Sequence, residues 1–212
     1  MDRRELLKMV ALLTGGVVIG GEVFLSGCKT GAKTEAGFTA SNIALLDEVA
    51  ETIIPATATP GAKAAKVGDF MKVMVTDCYT EKQQAAFTKG ISDLDEAFKK
   101  ANGKSFIECT PQQRHDFLVG LEKEAKAFNT KRDEEDKPKM EALKEANSKL
   151  PWKEQKEFEG APSHYYTMMK QLTLLGFFTS KTGMTATLRH IPVPGKYDGA
   201  VPYTKGDKAW AE

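Results

Sequence analysis

Three histidines, three cysteines and two close pairs of carboxylates are the residues of this chain best suited to chemistry. Cys109 and His115 supply the types a nucleophile and its base require. A triad, however, is defined by geometry rather than by closeness in sequence, and no third group is marked beside them. His115, His164 and His190 include no pair at i, i+3 or i, i+4, so none offers two metal ligands on one helix face. HExxH, CxxC and CxxCH are all missing. Glu48 with Glu51, and Asp93 with Asp95, each fall on a charged helical face, where solvation is the default. No GxGxxG follows a strand, so no Rossmann cradle for FAD is encoded. The expectation is a chain with no catalytic, cofactor-binding or metal site of its own.

The third cysteine, Cys28, belongs to a different pattern. Arg3-Arg4-Glu5-Leu6-Leu7-Lys8 precedes a weakly apolar run from Met9 to about Gly21, and Leu25-Ser26-Gly27-Cys28 follows. A charged start, an apolar middle and a small-residue cut site make a secretory leader. The middle is diluted by Gly15, Gly16, Gly20 and Gly21 and is shorter than the about 20 apolar residues a spanning helix needs. Arg3 and Arg4 resemble a twin-arginine export signal, although Asp2 stands where Ser or Thr is usual and Leu6 where Phe is common. Leu25–Cys28 resembles a lipoprotein box. The expected layout is a cleaved signal at 1–27, a lipidated flexible tether at 28–40 and one domain at 41–212. The protein would then be periplasmic and held to a membrane by lipid on Cys28.

Removing residues 1–27 takes away three cations and three carboxylates, so the remainder stays near the formal +1 of the whole chain. That balance leaves no electrostatic footprint for nucleic acid. Two thiols remain, Cys78 and Cys109. In an oxidising compartment they can form a disulfide, or both can be buried apolar thiols; sequence leaves the two readings open.

The elements follow from apolar spacing. Ser41 is a candidate cap for a helix with Ile43, Leu46, Val49, Ala50, Ile53 and Ile54 on one face, ended by Pro55. A second helix is expected from about Ala64 to Cys78. Thr80 and Gln83 form a capping box that opens a third, striped with Phe87, Ile91, Leu94 and Phe98 and stopped at Asn102-Gly103. Thr110-Pro111-Gln112-Gln113 opens a fourth, carrying Phe117, Leu118, Leu121 and Ala125. Residues 122–149 are charge-rich and read as a solvated helix or hairpin broken near Pro138. Residues 163–175 read as a further helix with Tyr166, Met169 and Leu172 inward. From about 177 a long irregular tail is expected. The fold class is therefore all-α, with about five to six helices.

Three segments carry a family resemblance. Leu172–Ser180 resembles the TLxGFFTS segment of the gluconate 2-dehydrogenase subunit 3 family, Pro192–Gly199 its PGxYxG segment, and Ile53–Ala62 its IIPxTxTPGA segment. The resemblance spans about residues 41–204. It implies a non-catalytic, cofactor-free small subunit of an oxidoreductase complex. The implied partner is a large FAD-dependent dehydrogenase of the glucose-methanol-choline type, which oxidises a sugar or sugar acid and passes electrons to an acceptor such as a cytochrome c. The small subunit would carry that partner through the twin-arginine route and tether it afterwards. Phe177, Phe178, Met184, Tyr197 and Tyr203 are the candidate partner interface, since aromatic and Met side chains are enriched in interface cores. The other reading of the tail is that it fills the chain's own core. A free-standing envelope lipoprotein binding a carbohydrate, with Trp152, Trp210 and the tail aromatics stacking on sugar rings, is the alternative function.

Overall fold

A computed structural model describes residues 38–189, 191, 193, 195 and 198–210. The leader arginines Arg3 and Arg4, Cys28, His190 and Tyr197 lie outside them. Among the described residues there are six α-helices: α1 (Ala40–Ile53), α2 (Val67–Cys78), α3 (Glu81–Asn102), α4 (Pro111–Ser148), α5 (Tyr165–Thr179) and α6 (Lys181–Thr187). Two parallel two-residue strands, β1 (Leu188–Arg189) and β2 (Ala209–Trp210), pair near the chain end. The fold is all-α.

α1 starts slightly earlier than Ser41 suggests. Thr39 is its cap, with Oγ1 accepting from Asn42 N at 3.2 Å. Phe38, just outside, is buried and stacks on Phe87 of α3 at 6.1 Å between ring centres. Phe38 and Thr39, within the stretch that sequence assigns to the tether, thus pack on and cap the helices. α2 begins later than expected. Residues Ala62–Ala65 form a 3-10 turn, and Lys66 adopts a left-handed backbone at φ 54° before the helix starts. An α1 carboxylate fixes this break: Asp47 Oδ1 accepts from Gly68 N at 2.8 Å.

α3 runs between the Thr80–Gln83 capping box and Gly103, whose φ of 73° suits a residue without Cβ. α4 corrects the expectation of a break near Pro138, because it is one helix of 38 residues with Pro138 inside it. An interior proline costs about 3 kcal/mol. Three helix residues that hold the returning chain 155–163 surround the proline in sequence and offset that cost: Arg132 donates to Ser163 Oγ, Asp136 Oδ2 accepts from Ala161 N at 3.1 Å, and Asn147 exchanges two bonds with the Lys156 backbone. The proline also lies in an exposed stretch, where water can serve the carbonyl left without a partner.

The tail is corrected as well. α5 continues to Thr179 and α6 follows at once, so irregular backbone begins only after Thr187. Ser180 makes the joint. Its hydroxyl accepts from Gly183 N at 2.9 Å, opening α6, and donates to Phe177 O at 2.7 Å, closing α5.

The core lies among α1, α2, α3, the first half of α4 and α5. Leu46, Val49, Met71, Val75, Phe87, Ile91, Leu94, Phe98, Phe106, Met169 and Phe177 are essentially sealed from water. Each such large side chain contributes about 1.5–3 kcal/mol through burial. Two glycines set the helix spacing. A Cβ on Gly90 of α3 would overlap the Tyr165 side chain of α5, and one on Gly176 of α5 would lie 2.6 Å from Phe70 Cδ1 of α2.

Candidate functional site

The candidate catalytic residues do not assemble. Cys109 is buried while His115 is exposed and its Nδ1 lies 3.4 Å from Asp116 Oδ1. Cys78 and Cys109 are both free thiols in this structure, Cys78 at the exposed end of α2 and Cys109 buried. Among the described residues no group of three or more His, Cys, Asp and Glu is placed to hold a metal ion.

His164 is buried at the start of α5 and acts as its cap, with Nδ1 accepting from Tyr166 N at 3.3 Å. Burial lowers its pKa, so the ring is held neutral, and Phe128 packs against it edge-on at 5.4 Å. Asn129 of α4 anchors the same turn by accepting from His164 N at 3.0 Å and donating to Thr167 Oγ1 at 2.9 Å. The phenols of Tyr165 and Tyr166 are pushed up to about 12 by burial. Tyr166 lies in the buried core and Tyr165 packs against it.

The carboxylates of α1 differ from the solvated pair that sequence suggests. Glu51 Oε1 accepts from Ala56 N and Oε2 from Lys63 N, both at 2.8 Å. Glu48 binds Lys63 Nζ on one side and Arg114 of α4 on the other. With Asp47 on Gly68, three acidic residues of one helix clasp the segment Ile53–Ala62 and the chain just beyond it. Gly61 is part of the fit, because a Cβ there would fall against the Glu51 carboxylate and 2.6 Å from Ala56 N. Sequence reasoning missed this clasp. Asp93 and Asp95 do behave as ordinary surface charges, each 2.6 Å from a lysine one turn away.

The α5–α6 segment splits its aromatic pair. Phe177 is sealed in the core, whereas Phe178 beside it is 40% exposed; the rings meet edge-on at 5.2 Å. Leu174, Leu175 and Phe178 form an exposed apolar strip on α5 at i, i+1 and i+4. Such a strip on a helix facing water is what a covered surface would use. Met184 on α6 is half-buried. Beyond it, Val193, Val201 and Tyr203 are exposed, Tyr203 to 75%. Within the tail, the β1–β2 pairing and the Arg189 guanidinium 4.2 Å above the Trp210 ring join its two ends. Of the candidate interface residues, Phe177 therefore serves the chain's own core, and Phe178 and Tyr203 are free to meet another surface.

A family model described as gluconate 2-dehydrogenase subunit 3 matches residues 40–195, most of the folded domain. No curated protein and no solved structure matches the chain.

Proposed function

The chain belongs to the gluconate 2-dehydrogenase subunit 3 family, and from that membership we propose that it is a non-catalytic small subunit. It binds a large FAD-dependent dehydrogenase of the glucose-methanol-choline type. The signal carried by Arg3 and Arg4 exports the pair through the twin-arginine route, and lipid on Cys28 then tethers the complex at a membrane on the periplasmic side. A cytochrome c is the expected electron acceptor of the complex.

The observation that carries this reading is the exposed strip of Leu174, Leu175 and Phe178 within the family-matched region, on the helix that leads into a tail with its own apolar residues exposed. Between 40% and 46% of each of these three residues stays open to solvent. Apolar surface of that kind, with aromatics at its edge, suits a partner interface. No described helix is long and apolar enough to cross a membrane; the membrane address in this reading is the lipid on Cys28.

Purification of the native protein from membranes in mild detergent tests the reading. A co-purifying large polypeptide with a flavin spectrum and sugar or gluconate oxidation supports it. A solitary, colourless protein that binds a carbohydrate overturns it in favour of a free-standing lipoprotein.

A further inference from the structure

The distal half of α4 serves no purpose in the core. Ala125 is the last buried residue of that helix, yet it runs on to Ser148. At 1.5 Å per residue this is an arm of about 35 Å. The chain turns at Pro151, forms a 3-10 turn at Trp152–Glu154, and returns along the arm.

Side chains of the helix hold the returning strand by its backbone. Asn147 Nδ2 donates to Lys156 O at 2.7 Å while its Oδ1 accepts from Lys156 N at 3.0 Å. Gln155 Nε2 donates to Asn147 O and Leu150 O, each at 3.2 Å, which closes the turn itself. Asp136 and Asn129 repeat the grip nearer the core. The tip is therefore a fixed shape.

Its side chains are unlike those of an ordinary solvated turn. Trp152 is 77% exposed, Leu150 beside it is exposed, and Lys149 and Lys153 flank them. The charge along the arm is polarised. Residues 137–156 hold six lysines against three glutamates, while 131–136 with Glu157 and Glu159 hold two cations against six carboxylates. The far end is basic and the near end acidic.

We propose that the tip Lys149-Leu150-Pro151-Trp152-Lys153 is a docking site for a bilayer surface that bears anionic headgroups. Trp is favoured at the membrane–water boundary, where its ring is apolar and its N–H wet. The lysines lie where they can reach the headgroups while their stems stay against the apolar groups. The acidic near end is repelled by the same surface, so the arm meets the bilayer point first and holds the helical core away from it. Charge separates this occupant from a protein groove: a basic end opposed to an acidic base is matched by one extended anionic plane. The docking uses only the folded domain and is independent of the leader, the lipid and the flavoprotein.

The test uses the chain from residue 28 onward with Cys28→Ser, since the core is built wholly from residues 38–177. Trp210→Phe leaves Trp152 as the only tryptophan of the two. Its fluorescence is followed with vesicles of phosphatidylcholine, alone or containing about a quarter phosphatidylglycerol. The expected result is a shift of emission to shorter wavelength and at least about tenfold tighter binding to the anionic vesicles, weakened by salt. Trp152→Ser, followed by vesicle sedimentation, and Lys149→Glu with Lys153→Glu should each remove the anionic preference while the helical circular dichroism is kept, because all three residues are exposed. Unchanged emission with anionic vesicles, or unchanged sedimentation of Trp152→Ser, overturns the proposal. So does burial of Trp152 by a co-purified flavoprotein and not by vesicles, which would make the tip a protein contact. None of these failures overturns the subunit reading, whose own test is co-purification.

Discussion

Glu48 of α1 and Arg114 of α4, 66 residues apart in the chain, form an ion pair with 14% of each side chain exposed. The guanidinium is further held by Ile107 O, which accepts from Nη2 at 2.6 Å, and by the Phe106 ring, 5.6 Å away. One short connection thus ties the first helix, the 3-10 turn at Phe106–Glu108 and the start of the long helix together.

Burial alone raises the Glu48 carboxyl, but the Lys63 hydrogen bond and the Arg114 charge overcome it, and the net pKa lies below the ordinary 4.5. A carboxyl held low in the folded state binds fewer protons than in the unfolded state. Its stabilisation is full above about pH 4.5 and is lost as pH falls through the lower folded value. Glu48→Gln should cost about 2–3 kcal/mol at neutral pH, since it leaves Arg114 and Lys63 uncompensated. Urea denaturation of both proteins from neutral pH down to about pH 3 checks this; the difference between them should shrink on the acid side.

His164 gives a second, separate pH effect. Its pKa is lowered by burial, so the unfolded chain takes up a proton before the folded one does. Stability should fall as pH drops below the ordinary 6.5, well before Glu48 titrates. His164→Asn keeps a side-chain oxygen for the Tyr166 N–H and cannot titrate. Thermal melts between pH 7 and 5 should show a flatter slope for this variant, and an equal slope would refute the assignment.

Glycine position decides the sign of two otherwise alike substitutions. Gly90→Ala gains helix propensity of about 1 kcal/mol but drives a methyl into Tyr165, and the overlap should cost more than it gains, leaving a net loss of about 1–3 kcal/mol. Gly120 has nothing within 4 Å of where its Cβ would stand. Gly120→Ala should therefore stabilise by up to about 1 kcal/mol. Calorimetric melts of the two variants should shift in opposite directions.

Phe177 and Phe178 separate folding from association. Phe177→Ala empties a sealed core position and should cost about 3–5 kcal/mol. Phe178→Ala and Tyr203→Ala should leave the melting temperature within a degree or two while reducing the amount of flavoprotein recovered with the chain. Recovery unchanged by both surface variants would move the interface elsewhere.

The helices were legible because their signals are local. Thr80 with Gln83 and Thr110 with Gln113 are capping boxes in sequence and in structure, and each apolar stripe became a buried face. Ser105 and Glu108 have the same spacing and the same bonds, so that turn was legible too and went unread. The α1 clasp was not legible. A carboxylate that accepts from a backbone N–H twelve residues away looks in sequence like any other charge on a wet face. Pro138 misled for the opposite reason: its local rule is sound, but the bonds that offset it come from a segment some twenty residues later. At Phe177-Phe178 the composition marked the right place and could not say which ring faces inward, because that depends on the phase of α5.

The pairing of Arg189 with Trp210 closes the tail into a ring. Loop closure costs entropy that grows only slowly with the number of residues enclosed, and here it is incurred during folding. A surface that binds this ring meets a segment whose two ends are already fixed, and so loses less freedom on association than a loose terminus would. Cutting the chain before Ala209 would remove that advantage without touching a single core residue.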